Sequence, residues 1–214
     1  MPPVGPAAIF ACDVGMQVAR DSAQGESLRL RLPVREVVLL PIQPIDTVAL
    51  EQVSAALRSR GVKVELRPAI LRPQGSYDVR RHQLKAEVLL ERVAQAAERP
   101  ALGITDADCY ADTLNFVFGI ADLRSGTAVV SLARLRAGAR VSTFTTRAMK
   151  EIFHELGHAV GLRHCSDPRC VMHFSNSLAE TDAKGEQLCV CCSRRVSRER
   201  WDPRGEAAQN DVAT

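Results

Sequence analysis

The sequence predicts an α/β fold of the α+β type, and three observations lead to that prediction. A strand–helix–strand pattern fills residues 36–66, and a later helix carries two histidines on one face. A segment rich in Cys, Arg and turn residues follows that helix. The 214 residues are 46% apolar and 25% charged, which suffices for one hydrophobic core, or for one core divided by a cleft.

The composition also indicates where the folded domain begins and ends. Residues 1–34 hold most of the early Gly and Pro, so we interpret them as an N-terminal extension and linker that need not be ordered. The folded domain is expected to span residues 35–200, and residues 201–214 to form a C-terminal tail. The sequence contains no uncharged apolar run of about 18 residues, so no membrane-spanning helix is predicted. Asp13 interrupts the first apolar run and no Lys or Arg precedes it, which favours a cytoplasmic location over a signal peptide.

The first elements form a strand–helix–strand unit. Residues 36–42 are nearly all apolar and predict a strand. Asp46 is a suitable N-cap for a helix with apolar residues at helical spacing, and Gly61 predicts where that helix ends. Residues 62–66 alternate like a second strand. We expect the two strands to be parallel, with the helix packed across them.

Two more helices and three more strands are predicted further along. A loop at residues 68–77 precedes a helix expected over residues 80–99. Strands are expected at residues 102–105, 114–119 and 128–132, and an acidic loop at residues 106–112. The third helix is expected to begin near residues 143–146 and to end at about Val160. Residues 161–214 show little predictable secondary structure.

Three of the five histidines fall within eleven residues: His154, His158 and His164. The first two are four residues apart on a predicted helix, so they lie one turn apart on one face and can share a metal ion. Gly161 tolerates the left-handed conformation that ends a helix, after which the chain can return His164 as a third ligand. Three protein ligands leave a fourth position for water, which is the arrangement of a catalytic zinc site.

Glu155 directly follows the first histidine and lies beside the same face of the helix. It is therefore placed to take a proton from the attacking water as a general base. An amphipathic helix with two surface histidines is the alternative interpretation of the short pattern. The longer pattern with Gly161 and His164 is far rarer and matches the long metzincin signature, which favours a metal site.

Five of the seven cysteines lie between residues 165 and 192, and their odd number speaks against a disulfide framework. Four thiolates from two separated pairs suit a closed, structural zinc site: Cys165, Cys170, Cys189 and Cys192. Cys191 is a possible substitute for Cys192. Free buried thiols and a redox pair are the alternatives, and Cys12 and Cys109 are interpreted as ordinary cysteines. Because His164 and Cys165 are adjacent, the two metals should be close neighbours.

At this point the sequence resembles the archaemetzincin family. The resemblance is carried by His154-Glu155-x-x-His158-x-x-Gly161-x-x-His164-Cys165-x4-Cys170-x-Met172, then by Cys189-x-x-Cys192. Arg80-x-x-Gln83 and Asn115-Phe116-Val117-Phe118-Gly119 match more loosely. It implies a compact metzincin-like metalloprotease fold, in which an upper half to about Gly161 holds a twisted mixed sheet and the active-site helix. A small Cys-rich lower half would follow.

The resemblance further implies a role for each candidate residue. The three histidines would hold a catalytic zinc ion, Glu155 would be the general base, and the four cysteines would hold a second, structural zinc ion. Met172 would form an apolar floor beneath the catalytic metal. The edge of the sheet that lines the cleft would be the strand at residues 129–132, to which an extended substrate adds as a further strand; an ordinary core strand is the alternative.

Two departures from the family pattern affect these expectations. The spacing from Met172 to the last cysteine pair differs by about one residue, which leaves the choice between Cys191 and Cys192 open. Phe174 stands where some other metzincins carry a tyrosine that stabilises the oxyanion. Phenylalanine cannot donate that hydrogen bond, so the zinc ion or another residue must do so.

The function predicted from these residues is zinc-dependent hydrolysis of a peptide or protein substrate. The resemblance to the archaemetzincins further implies small peptides as substrates and an aminopeptidase-like activity. The alternative is a non-catalytic zinc-binding scaffold or adaptor protein, which has no need of Glu155. A zinc-ribbon nucleic-acid binder built from residues 165–200 would leave the three histidines unexplained. The net charge of +3 indicates no nucleic-acid partner, no membrane partner is expected, and the oligomeric state stays open.

Overall fold

A computed structural model of the protein describes residues 31–112 and 114–198. No helix in these two stretches is long and apolar enough to cross a membrane. The predictions for residues 1–30 and for the C-terminal tail fall outside the described residues. Leu32 and Val34, which the composition assigned to the extension, are buried in the main core.

Nine strands are described, and they form two sheets. In chain order they are β1 (Glu36–Pro41), β2 (Lys63–Leu66), β3 (Tyr77–Asp78), β4 (Gln83–Lys85), β5 (Ala101–Thr105), β6 (Cys109–Ala111), β7 (Leu114–Val117), β8 (Gly119–Asp122) and β9 (Thr127–Ser131). The larger sheet has the order β2-β1-β5-β9-β8, and the smaller has the order β3-β4-β6-β7. The first four strands of the larger sheet are parallel and β8 is antiparallel to β9, so the predicted mixed sheet is confirmed.

Helices cover both faces of the larger sheet. The helices described are α1 (Thr47–Ser59), α2 (Ala86–Ala96), α3 (Val141–Ala159), α4 (Leu178–Ala183) and α5 (Val190–Arg198), and of these α1, α2 and α3 pack on the sheet. Because side chains alternate along a strand, Leu39 and Val130 join the core beneath α1 and α3, whereas Leu40 and Val129 join the core beneath α2. This three-layer arrangement places α3 directly against β8 and β9.

The predicted strand–helix–strand unit is present, with β1 and β2 parallel. The side chain of Asp46 caps α1 by accepting a hydrogen bond of 2.9 Å from the backbone N–H of Val48. Gly61 follows the helix in the left-handed region, with φ of 82°, as its position predicted. Propensity and capping therefore determine this unit locally.

The predicted helix over residues 80–99 begins too early. Its first part is β4, in which Leu84 pairs with Cys109 of β6, and α2 begins only at Ala86. Lys85 is extended, with ψ of 113°, so the change from strand to helix occurs at one residue. Leu84 fits the apolar spacing of the predicted helix, but in the structure it is a buried residue of the smaller sheet.

The strand predicted at residues 114–119 is divided between the two sheets, with β7 in the smaller and β8 in the larger. The strand at residues 129–132 is not at an edge, and this expectation is wrong. It belongs to β9, which lies between β5 and β8 and is buried at all five positions. β8 holds the edge position instead. The chain crosses from one sheet to the other at Phe118.

The acidic loop at residues 106–112 contains β6, and each of its three aspartates forms an ion pair. Asp108 accepts two hydrogen bonds of 2.8 Å from Arg134, and Asp106 accepts two from Arg136, of 3.1 and 2.6 Å. Burial raises the pKa of Asp108, but the hydrogen bonds from Arg134 and Gln83 outweigh it and lower the pKa below its usual value. Asp106 and Asp108 are thus bound to arginines in the 3₁₀ turn Arg134–Arg136, which precedes α3, whereas Asp112 pairs with Lys85 at 2.8 Å.

Candidate metal centre

Helix α3 carries the first two histidines and Glu155. It is 19 residues long and buried on most sides, because the sheet covers one flank and residues 170–184 cover another. The helix ends at Val160, and Gly161 follows with φ of 97°, which only glycine adopts without strain. This left-handed residue turns the chain back and returns His164 to the histidines of the helix, as predicted.

The three histidines converge on one point. One nitrogen atom of each of His154, His158 and His164 lies within 4.8 Å of the others. The Nε2 atoms of His154 and His158 are 3.1 Å apart, and the ring of His164 lies 4.8 Å from that of His158 and 5.3 Å from that of His154, centroid to centroid. Three imidazoles at this separation suit one tetrahedral zinc ion with one position left open.

Hydrogen bonds on the other ring nitrogens orient two of these imidazoles. Nδ1 of His154 donates to the carbonyl oxygen of Val171 at 2.9 Å, and Nδ1 of His158 donates to that of Leu162 at 2.8 Å. Because a carbonyl only accepts, the proton of each neutral ring lies on Nδ1. Nε2 of both rings therefore carries the free lone pair that a metal ion requires.

The surroundings keep the histidines neutral. Burial lowers the pKa of His154 well below its usual value, and it lowers the pKa of His158 as well. Burial and the neighbouring His158 lower the pKa of His164 to about 4. Neutral imidazole is the form that binds a metal, so the donor set fits zinc at neutral pH.

Glu155 lies at the side of the histidine cluster, 7% exposed. Burial, and then the charge of Glu151 one turn earlier, raise the pKa of its carboxyl to about 8. Its side chain packs against Gly119 at the start of β8. A carboxyl group in this position can exchange a proton with a water molecule in the cleft.

The histidines open into a cleft of about 520 Å³ between β8 and the residues after α3. Gly119 to Ala121 line it on the side of the sheet, and Phe174, half exposed, lines it beside His164, with a ring-to-ring distance of 5.0 Å. Met172 is fully buried, and its sulfur packs against Gly157, which lies between His154 and His158 in α3. The apolar floor that the resemblance implied for Met172 stays a prediction.

The four cysteines of the predicted structural site also come together. The Sγ atoms of Cys165, Cys170, Cys189 and Cys192 all lie within 4.8 Å of one another. Backbone N–H groups donate to two of them, from Cys189 to the sulfur of Cys170 at 3.3 Å and from Cys192 to the sulfur of Cys189 at 3.4 Å. A hydrogen bond from Cys192 lowers the pKa of Cys170 to about 5. Cys191 lies outside this group.

Buried charges lie behind the histidine cluster, and the sequence patterns gave no signal of them. Lys184, whose side chain is fully buried, forms an ion pair of 3.0 Å with Glu151, and its ammonium lies 3.5 Å from Nδ1 of His154. Thr181 also donates to Glu151, at 3.0 Å. Lys184 and Thr181 are distant from α3 in sequence, so only the tertiary fold reveals the group.

Comparison with known proteins agrees with this geometry. The family model described as peptidase family M54 matches residues 76–198. The chain is 36% identical over 169 residues to the archaemetzincin of Methanocaldococcus jannaschii, covering 75% of this chain and 93% of that one. It is 34% identical over 170 residues to that of Natronomonas pharaonis, covering 75% and 98%.

Solved structures give the same result. The archaemetzincin of Archaeoglobus fulgidus, crystallised in complex with malonate, has a TM-score of 0.68 and 32% identity, covering 75% of this chain and 99% of that one. A zinc-dependent peptidase from Methanocorpusculum labreanum has a TM-score of 0.63 and 27% identity, with the same coverage. The mixed sheet, the histidine helix and these relatives together show that the chain belongs to peptidase family M54, the archaemetzincins.

Proposed function

We propose that this protein is a zinc-dependent peptidase in which His154, His158 and His164 hold the metal ion and Glu155 is the general base. The convergence of three imidazoles, two of them with Nδ1 bonded to a carbonyl oxygen, carries the proposal. Family membership and a structural relative described as a zinc-dependent peptidase support it. A non-catalytic zinc scaffold would not need a buried carboxyl group beside the histidines.

The groups on the cleft wall suit an extended peptide. Within the described sheet, β8 pairs on one side with β9, and its other side faces the cleft. A peptide can form main-chain hydrogen bonds with such an edge strand and lie across the histidines. The role that the sequence assigned to residues 129–132 therefore passes to Gly119–Asp122 in this proposal.

The hydrolytic step uses Glu155 twice. A zinc ion held by the three histidines would supply a Lewis acid, which would polarise the scissile carbonyl and lower the pKa of water from 15.7 to about 7. Glu155 takes one proton from the attacking water as the new carbon–oxygen bond forms. It then gives that proton to the peptide nitrogen, so that the carbon–nitrogen bond breaks and an amine leaves. Phe174 cannot donate a hydrogen bond to the oxyanion, so no help is assigned to it.

We also propose that Cys165, Cys170, Cys189 and Cys192 hold a second, structural zinc ion, which gives two zinc ions per chain. Four thiolates form a closed site that leaves no position for water. The cluster lies directly behind the histidine centre because His164 and Cys165 are consecutive. A metal ion there would fix the segment that carries the third histidine.

The test compares the wild type with Glu155→Ala on a diverse peptide library, after zinc loading. We expect the variant to keep the zinc content of the wild type and to lose activity by at least about 10²-fold, since a general base contributes 10²–10⁴-fold. Glu91→Ala, at an exposed position of α2, is the matched control and should be fully active. Full activity in Glu155→Ala would refute the mechanism.

The same library separates the two classes of peptidase and the rival function. Paired peptides with free and acetylated N-termini show whether cleavage requires a free amino group. We propose an aminopeptidase-like preference for small peptides, on family likeness, and equal cleavage of both forms would contradict it. No cleavage by zinc-loaded wild type on any peptide would favour the zinc-binding scaffold.

A further inference from the structure

The first residue of the edge strand, Gly119, makes an unusually close approach to α3. A Cβ atom at this position would collide with Cγ of Glu155 and would lie 2.9 Å from its Cδ. It would also lie 2.8 Å from the backbone oxygen of Val129. Real Cβ atoms essentially never approach other atoms so closely, so any side chain at this position forces its neighbours to shift.

The lack of room for a side chain, and not the backbone conformation, explains why residue 119 is a glycine. Gly61 and Gly161 have positive φ angles, but Gly119 does not, so an L-residue could adopt its backbone conformation. Gly119 pairs with Val130, whose side chain lies in the core beneath α3. Since cross-strand partners point to the same face of a sheet, the missing side chain of Gly119 points at α3.

Packing contacts surround the side chain of Glu155, which is 7% exposed. Among residues 31–112 and 114–198, no hydrogen bond or ion pair joins a side chain or backbone group to its carboxylate, and the ammonium of Lys184, which acts on it as a more distant charge, pairs with Glu151 instead. A flexible side chain without polar anchors takes its position from the surfaces packed against it. Gly119 is such a surface, and it touches the last two carbons before the oxygens.

We propose that Gly119 is a positioning residue, whose missing side chain forms the slot that keeps the Glu155 carboxylate beside the histidine cluster. The inference rests on the proposed function, in which Glu155 is the general base. A methyl group at residue 119 occupies that slot and displaces the carboxylate. Because a misplacement of about 1 Å can cost ~10²-fold in rate, the effect should fall on kcat. None of the three atoms nearest to a Cβ at residue 119 belongs to a histidine, so zinc binding should be unaffected.

The kinetic test uses Gly119→Ala, with Gly103→Ala as the matched control. Gly103 lies in the same sheet, and a Cβ there would collide with Val93 in the core beneath α2. Both variants introduce one methyl group into a crowded site, but only one of them faces Glu155. We expect Gly119→Ala to lose about 10²-fold in kcat with KM and zinc content unchanged, and Gly103→Ala to keep its kcat. Equal kcat in wild type and Gly119→Ala would overturn the inference.

A second measurement does not depend on activity. Gly119→Ala is introduced into wild type and into Glu155→Ala, and the shift in unfolding temperature is compared. The clash with the Val129 oxygen is present in both backgrounds and cancels, whereas the clash with Glu155 is present only in wild type. We expect the shift to be larger in wild type by about 2 °C or more. Equal shifts would show that Gly119 does not confine Glu155.

These outcomes separate failure of the inference from failure of the proposed function. An active wild type with equal temperature shifts, or with kcat unaffected by Gly119→Ala, refutes only the inference. A zinc-loaded wild type that cleaves no peptide refutes the proposed function, and the positioning role falls with it even if the temperature shifts differ.

Discussion

At the scale of single residues, two glycines without positive φ angles determine how closely the parts of the centre approach one another. Gly119 admits Glu155 beneath the edge strand, and Gly157 admits Met172 against α3. Both are cases in which a neighbour occupies the volume that a side chain would take. Their φ angles alone would not explain either choice.

Gly157→Ala tests the second contact. Alanine in place of glycine favours a helix by about 0.5–1 kcal/mol, but overpacking a core costs about 1–3 kcal/mol, so overpacking should win. We expect a net loss of about 1–2 kcal/mol in the free energy of unfolding, measured by urea titration. In a Met172→Ala background the collision is gone, and Gly157→Ala should become stabilising. The same sign in both backgrounds would contradict this account.

The sequence could predict the meeting of the three histidines because that meeting is local. His154 and His158 are one helical turn apart, and Gly161 reverses the chain within three residues of His164. Gly119 and Lys184 could not be found in this way. Each lies more than 25 residues from the side chain it contacts, and only the packing of distant elements brings them together.

At the scale of elements, charged groups attach α4 and the residue after it to α3. Glu151 receives Lys184 and Thr181, each at 3.0 Å, and Arg147 binds Asp182 through hydrogen bonds of 2.7 and 2.6 Å. The Lys184–Glu151 pair is buried, so its contribution differs from that of a surface ion pair. Removing one partner leaves the other as an uncompensated charge in the interior.

Lys184→Met should therefore lower the free energy of unfolding by about 3–5 kcal/mol, which a denaturant titration measures. Lys63→Met, at an exposed position of β2, is the matched control and should change it by less than about 0.5 kcal/mol. Adding Glu151→Gln to Lys184→Met removes the unpaired charge and should restore part of the loss. A loss of less than about 1 kcal/mol in Lys184→Met would show that Glu151 finds another partner.

Strand existence was predictable at this scale, but strand neighbours were not. The apolar run at residues 128–132 indicates a strand, and its burial on both faces is typical of an internal strand rather than an edge. The edge strand β8 is partly exposed at each position, and its first residue follows β7 so closely that the sequence predicts a single strand. Helix α5 escaped prediction because its nine residues include three arginines and only two valines, so its short apolar face, which includes Cys192 and Val196, does not show a clear helical period.

At the scale of the whole molecule, the Cys cluster joins chain segments that the helices and strands leave separate. Cys165 and Cys170 follow the turn after α3, whereas Cys189 and Cys192 lie at the start of α5. A metal ion bound to all four would cross-link the two segments and hold His164 beside its partners. Its binding free energy would then be part of the folding free energy of this half.

Cys192→Ser and Cys191→Ser differ by one position and should differ in their zinc content. Cys192 is buried within the thiol group, and Cys191 lies outside it, although the sequence left the choice between them open. We expect Cys192→Ser to bind one zinc ion per chain where wild type binds two, and to unfold at a lower temperature, because an incomplete thiolate set no longer closes a tetrahedral site. Cys191→Ser should match wild type in both respects.

Two zinc ions in Cys192→Ser, or a lost ion in Cys191→Ser, would assign the fourth ligand differently. A zinc content of one in wild type would remove the structural site, and the lower half would then depend on the buried Lys184–Glu151 pair and its core contacts alone.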